Sequence, residues 1–136
     1  MKDLHNTEKR TRVISPVSTT GNTAIVGAII DRKGFDSLEF AITLGTITTA
    51  GTTYTALLEE SNASDMTGSN AVADTDLIGT EALASFVDSE INTTKGLGYK
   101  GDKRYVRLTM TPAGNTGAST MCAIAIQGSG SLKPAV

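Results

Sequence analysis

The sequence predicts an all-β fold, an antiparallel β-sandwich of jelly-roll-like or immunoglobulin-like type with about eight strands and extended N- and C-terminal arms. Three observations predict it. Thr, Ala, Gly, Ile and Val dominate while aromatics make up only 4% and Trp is absent, the palette of short strands joined by small-residue turns. Several runs alternate apolar and polar residues with period two. Turn signals recur about every eight to twelve residues, and no long amphipathic helix can be written between them.

The chain of 136 residues has the size of one ordinary domain, able to bury roughly two-thirds of its unfolded surface. With 39% hydrophobic and 19% charged residues and a net charge of -2, neither charge-driven disorder nor global affinity for nucleic acid is expected. The polar start Met1-Lys2-Asp3-Leu4-His5-Asn6 has no apolar h-region, and no stretch approaches about 18 continuous apolar residues. A soluble chain without a signal peptide or membrane association is the expectation. One cysteine, Cys122, excludes an internal disulfide.

Residues 1–12 are polar and charged without a helical stripe, and are expected to form an N-terminal arm. The sandwich is assigned to residues 13–128. Pro16 lacks a ladder donor and places its segment at a sheet edge or strand end. Thr23 to Ile30, β-branched and apolar on both faces, predicts a buried strand. Asp31-Arg32-Lys33-Gly34 then reverses the chain. The clearest alternation follows, with Leu38, Phe40, Ile42 and Leu44 on one face and Glu39, Ala41 and Thr43 on the other. Tyr54 to Glu60 predicts a further strand with Leu57 or Leu58 inward.

Ser61 to Asp76 is rich in turn formers and predicts a long surface loop. Leu77 to Thr80 and Ala82 to Val87 suit two short strands, although Glu81 to Phe86 also fits a helical turn. Tyr105 to Thr111 alternates, with Val106, Leu108 and Met110 on one side. Ser119 to Gln127 is the final strand, with Cys122, Ile124 and Ile126 on one face. The turn at Pro112 to Gly117 should pair these two as a hairpin. Residues 129–136 are expected to form a C-terminal arm.

The chemistry is sparse. A catalytic triad needs an imidazole, and the single histidine, His5, lies in the arm. Cys122 in an apolar strand reads as a small buried hydrophobe. Gly96-Leu97-Gly98-Tyr99-Lys100-Gly101 spells G-x-G-x-x-G, but no helix follows to receive a pyrophosphate, so flexible turn backbone explains it. Asp74 and Asp76, with Asp65 and Glu81 nearby, are weak candidates for holding Ca²⁺, without EF-hand spacing. Glu59 and Glu60 point to opposite faces of a strand and cannot act as an acid-base pair. No enzyme and no cofactor are expected.

Charge segregation is more informative. Glu59 to Glu90 contains eight acids and no Lys or Arg, whereas Lys95 to Arg107 contains five bases against Asp102 alone. Two explanations stay open: one copy's acidic region docks on another's basic region, or complementary strands neutralise each other within one fold. The subunit-interface candidates are Lys9, Arg10, Arg12, Asp74, Asp76, Lys100, Lys103, Arg104 and Arg107. Tyr99 and Tyr105 beside the bases offer stacking groups, but the acidic neighbour opposes a nucleic-acid backbone, and no direct nucleic-acid contact is expected.

Ile30-Asp31-Arg32-Lys33-Gly34-Phe35-Asp36-Ser37-Leu38-Glu39-Phe40, Leu57 to Ser61, Asp76-Leu77-Ile78-Gly79-Thr80-Glu81 and Leu97 to Leu108 together resemble a family of small proteins encoded in tailed-bacteriophage structural modules. The likeness runs from about Arg12 to Gly128. The ending Gly128-Ser129-Gly130-Ser131-Leu132-Lys133 departs from the His- and Arg-bearing ending of such proteins. The resemblance implies a virion protein on the capsid exterior, made in the host bacterial cytoplasm. A decoration (cement) protein contacting the major capsid protein and copies of itself, with a trimer as the expected assembly, is its first reading. A head-spike base or tail component is the alternative. A carbohydrate-binding host-recognition module is the rival from another class, although sugar stacking needs exposed aromatics and few rings are available. The resemblance transfers no functional residue.

Overall fold

In the computed structural model, which describes residues 3–130, eleven β-strands, one 3-10 turn and one short helix build two facing antiparallel sheets. Six strands run seven residues or more: β1 (Glu8–Thr19), β4 (Phe35–Ile47), β5 (Thr53–Ser61), β9 (Thr93–Tyr99), β10 (Tyr105–Ala113) and β11 (Ser119–Gly130). The others are two-residue pieces: β2 (Ile25–Val26), β3 (Ile30–Asp31), β6 (Asn70–Ala71), β7 (Leu77–Ile78) and β8 (Phe86–Val87). One sheet has the order β1-β11-β4-β9-β7, and the other β2-β10-β5-β6 with β3 against β10 and β8 against β5. They are called the β11 sheet and the β10 sheet below.

The core follows the alternation. Phe40, Ile42 and Leu44 of β4, Leu97 of β9, Leu58 and Tyr54 of β5, and Val106, Leu108 and Met110 of β10 have 0% exposure. Leu57, next to Leu58, faces outward. The inner side of β11 is small: Ala123 lies opposite Ile42 and Ala125 opposite Phe40, so large residues of one strand fill the space left by the other.

Five sequence expectations are corrected. The segment from Glu8 to Arg12 is strand, not arm, because it pairs along β11 from Glu8 opposite Gly128 to Arg12 opposite Ile124. Similarly, β11 extends through Ser129 to Gly130, and the remaining residues of the expected C-terminal arm lie outside the described range. Thr23 to Ile30 is not one strand. Gly27 interrupts it where its N–H donates to Leu108 O of β10 at 2.8 Å, while Ala28 N–H donates to Val13 O of β1 at 2.9 Å. The chain thereby ties the rims of the two sheets together, and a Cβ at Gly27 would fall 2.6 Å from Leu108 O.

The expected β10–β11 hairpin is also absent, since β10 pairs with β5 and β11 with β1 and β4. The connection instead crosses between sheets and is pinned by the buried Asn115, whose amide donates to Thr19 O and Gly21 O while its Oδ1 accepts from Ser119 Oγ. Finally, Glu81 to Ala84 forms α1 (Glu81–Ala84), with Thr80 Oγ1 accepting from Leu83 N–H as its N-cap. Only Phe86 and Val87 of that segment are strand. Helical geometry lets Glu81 Oε1 accept from Leu58 N–H and Ser85 Oγ from Ala56 N–H. With β6 and β8, these contacts cover the outer edge of β5, which would otherwise offer unpaired backbone to any strand. Pro16 lies on the edge strand β1, within the register shift between Ile14 and Val17, where its missing donor is tolerated.

Candidate functional site

Both ends of the described chain leave the sandwich side by side. The start of β1 and the end of β11 are neighbours, with Glu8 opposite Gly128, and Gly130 lies opposite Phe35 at the start of β4. At this same end lie the reversal Asp31–Phe35 and the turn Lys100–Arg104, stitched together by Arg32. Its guanidinium donates to Gly101 O at 2.9 Å and Lys103 O at 2.7 Å, and it stacks 4.7 Å from the centroid of the Tyr99 ring. Tyr99 is 1% exposed, its hydroxyl donates to Glu60 and accepts from Lys103 N–H. Burial, then the Glu60 carboxylate, pushes its pKa well up, so the ring remains a neutral donor.

This end gathers many of the interface candidates and sorts them by partner. Arg104 forms a two-pronged pair with Asp31, at 2.9 and 2.8 Å. That guanidinium chiefly holds the Asp31 carboxyl down, to about 2. Arg107 is paired with Glu59, its cross-strand neighbour, at 2.8 Å. Arg10 pairs with Glu8 at 3.1 Å along β1, and Lys103 approaches Asp102 at 3.9 Å. Away from this end, Lys95 pairs with Glu90 at 2.9 Å. Two ion pairs among the described residues, Arg107–Glu59 and Lys95–Glu90, join the acidic stretch to the basic one, and Arg104 and Arg107 are committed within the chain. Lys9, Arg12 and Lys100 make no salt bridge among the described residues; Lys9 lies 5.9 Å over the Phe35 ring.

Asp74 and Asp76 occupy an exposed 3-10 turn, Asp74–Asp76. Glu81 is withdrawn from them by its bond to the β5 backbone, and among the described residues no group of three or more His, Cys, Asp or Glu converges as a metal site would require. The glycines of the G-x-G-x-x-G string serve surface geometry: Gly96 lies beneath Glu39 and Gly98 beneath Ile78. Cys122 is half-exposed on the outer face of β11, together with Ile124 and Ile126. The buried hydrophobe expected there is corrected, because Met121, Ala123 and Ala125 take the inner side.

No aromatic ring is exposed: Tyr54, Tyr99, Phe40 and Phe86 are buried, while Phe35 and Tyr105 are half-buried. Lys9 and Arg104 lie over those last two rings. A stacking platform for sugars or bases is therefore not presented by the described residues. Sequence reasoning missed the outer face of the β11 sheet. Its strand glycines Gly45, Gly96, Gly98 and Gly128 are overlain by Thr120, Glu39, Ile78 and Ser37 respectively, which leaves a low surface with two shallow depressions of about 250 and 350 Å³. Among the described residues, no helix is long and apolar enough to cross a membrane.

No protein-family model and no curated protein sequence matches the chain. Solved structures do. The PBSX exported protein XepA superimposes with TM-score 0.62 at 14% identity over 97% of this chain and 40% of that one. This chain therefore spans about two-fifths of the XepA chain. An infectious bursal disease virus structure, Gx strain, gives TM-score 0.46 at 14% identity over 93% of this chain and 33% of that one. The C-terminal family 22 carbohydrate-binding module of Clostridium thermocellum Xyn10B gives 0.45 at 11% identity over 92% and 84%. At such identities the shared property is the fold, and the XepA superposition carries it.

Proposed function

We propose that this chain is a virion structural protein of a tailed bacteriophage, a decoration protein that seats on the outside of the head and stabilises the shell. The observation that carries the reading is the juxtaposition of both chain ends and the Asp31–Phe35 and Lys100–Arg104 turns at one end of a rigid sandwich. The adjacent ends of β1 and β11 and the two turns form one surface that can seat across neighbouring shell subunits. Lys9, Lys33 and Lys100 supply charge there that no salt bridge within the described chain consumes. The sequence resemblance to phage structural modules supports the placement, and the fold shared with XepA is compatible with it. The partners on this reading are the major capsid protein and further copies of the chain.

A clamp that binds the assembled shell in preference to free subunits stabilises it by mass action. Particles stripped of the protein should release DNA at lower temperature or osmotic stress than decorated ones, and re-addition should restore the threshold. Equal thresholds would remove the clamp. Densitometry of purified virions separates this role from a head-spike base or tail part, which predicts few copies per particle.

A further inference from the structure

The outer face of the β11 sheet carries a self-complementary pattern. Cross-strand register places Arg10, Ile126, Glu39, Gly98 and Ile78 in one row across β1, β11, β4, β9 and β7. The next row holds Arg12, Ile124, Ala41 and Gly96, and a further one Cys122, Thr43 and Thr94. Arg10 and Arg12 thus sit on β1 beside Glu8, which is paired with Arg10, Glu39 sits on β4, and an apolar line of Ile126, Ile124 and Cys122 runs between them on β11. Arg12 and Glu39 are exposed, and neither side chain has a hydrogen bond or ion pair among the described residues. Ile124 and Ile78 are 38% and 60% exposed. Gly96 and Gly98 make room for the Glu39 and Ile78 side chains to lie over the sheet, and Ala41 adds little bulk.

We propose that this face pairs with the same face of a second copy, about a two-fold axis running along β11. Rotation about that axis keeps each residue at its level along the strand and exchanges left for right, so β1 of one copy lies over β4 of the other. Arg10 and Arg12 then approach Glu39 of the second copy, while Ile124 and Ile126 meet their own counterparts. A two-fold axis across the strands would instead set β1 on β1 and β4 on β4, leaving Glu39 of each copy with no arginine opposite it. The axis along β11 is therefore the arrangement that gives Glu39 a cationic partner. Five strands at about 4.8 Å spacing and seven residues at about 3.3 Å give a planar patch of roughly 500 Å² per copy. The total buried is about 1,000 Å², near the lower limit for a specific interface. The pair is accordingly weak and concentration-dependent. This inference concerns the isolated chain and stands apart from docking on a shell.

The test is sedimentation equilibrium on the purified chain and on Arg12→Glu, Glu39→Arg and the double variant. Thermal melts check that these exposed substitutions leave the fold intact. The wild type should show a monomer–dimer equilibrium weakened by salt, and each single reversal should weaken it about tenfold or more. The double reversal restores opposite charges across the axis and should recover most of the loss. Cys122 supplies a second readout. It lies above its own counterpart across sheets about 10 Å apart, too far for a disulfide but within reach of a short bis-maleimide. Such a reagent should yield a covalent dimer whose amount follows the sedimentation result. A chain that stays monomeric at high concentration, a trimer, or a dimer indifferent to both reversals would overturn the proposal.

Discussion

The two outer faces of the sandwich spend their charges differently. On the β10 sheet, Arg107 lies directly across from Glu59 and is bonded to it, and at the sheet's end Arg104 takes Asp31. Those groups are satisfied by their own chain. On the β11 sheet, Arg12 and Glu39 lie two strands apart with Ile124 and Ile126 between them, and neither finds a partner within the described chain. The β11 face also carries glycines at Gly96, Gly98 and Gly128, over which the side chains of Glu39, Ile78 and Ser37 lie. A charge near an opposite one in the sequence is weak guidance to an interface, because the fold pairs it first. The charges left over are the informative ones.

The largest effects should be common to both sheets, because one core serves them. Phe40→Ala, from the β11 sheet, should cost about 3–5 kcal/mol, and Leu108→Ala, from the β10 sheet, about 2–5 kcal/mol. Each should shift a single unfolding transition followed by chemical denaturation. Two separated transitions in either variant would show that the sheets are held independently, and the comparison of their faces would lose its common frame.

Next come the outer faces themselves. A Cβ at Gly98 would lie 2.9 Å from Ile78 Cβ, so Gly98→Val should cost about 1–3 kcal/mol through overcrowding. Thr111→Val, on the exposed side of the β10 sheet, should stay within about 0.5 kcal/mol. Equal costs would mean that the low profile of the β11 face is not a packing requirement.

A smaller contrast tests the charges. A double-mutant cycle on Arg107 and Glu59, whose side chains are 24% and 21% exposed, should return a coupling of about 0.5–1 kcal/mol. The same cycle on Arg12 and Glu39, at concentrations where the chain is monomeric, should return none.

The smallest effect is acidic. Asp31 has its pKa lowered from the ordinary 3.8 to about 2, chiefly by the Arg104 guanidinium. A depressed carboxylate contributes stability that is present above its unfolded pKa and is lost as pH falls through the folded one. The loss therefore lies between about pH 4 and pH 2. Both side chains are 45% exposed, so the slope is shallow and screened by salt. Asp31→Asn should flatten the stability profile in that window and lower stability slightly near neutrality, where the wild-type pair is intact.

Much of the fold was legible because alternation is a direct physical signal: β4 and β10 show it in their sequence and have it in the structure. β11 was legible as a strand but not in its facing. Ile124 and Ile126 are more hydrophobic than Ala123 and Ala125, yet the alanines are inside, because Phe40 and Ile42 opposite them already fill the space. Facing on a strand with two apolar sides depends on neighbours that the strand itself does not name. The hairpin between β10 and β11 failed for a similar reason. A turn sequence at Pro112 to Gly117 specifies reversal, and the contacts of Asn115 with Thr19 and Gly21 decide that the chain crosses to the other sheet. At the candidate site, the sequence supplied the charged residues but not their partners, which come from segments up to 73 residues away, as in Arg104 with Asp31. The glycines Gly96 and Gly98 suggested a turn, whereas their role is to lie beneath Glu39 and Ile78.

The central claim, that the end formed by the start of β1, the end of β11 and the two turns seats on a shell, is tested most directly by an electron-microscopy density map of the particle that carries this chain. The account predicts one sandwich density per docking site on the outer surface of the head, with Glu8, Gly128 and the Lys100–Arg104 turn against the capsid. Sandwich density confined to the tail, absent from the particle, or seated on the head by the outer face of the β10 sheet would contradict it.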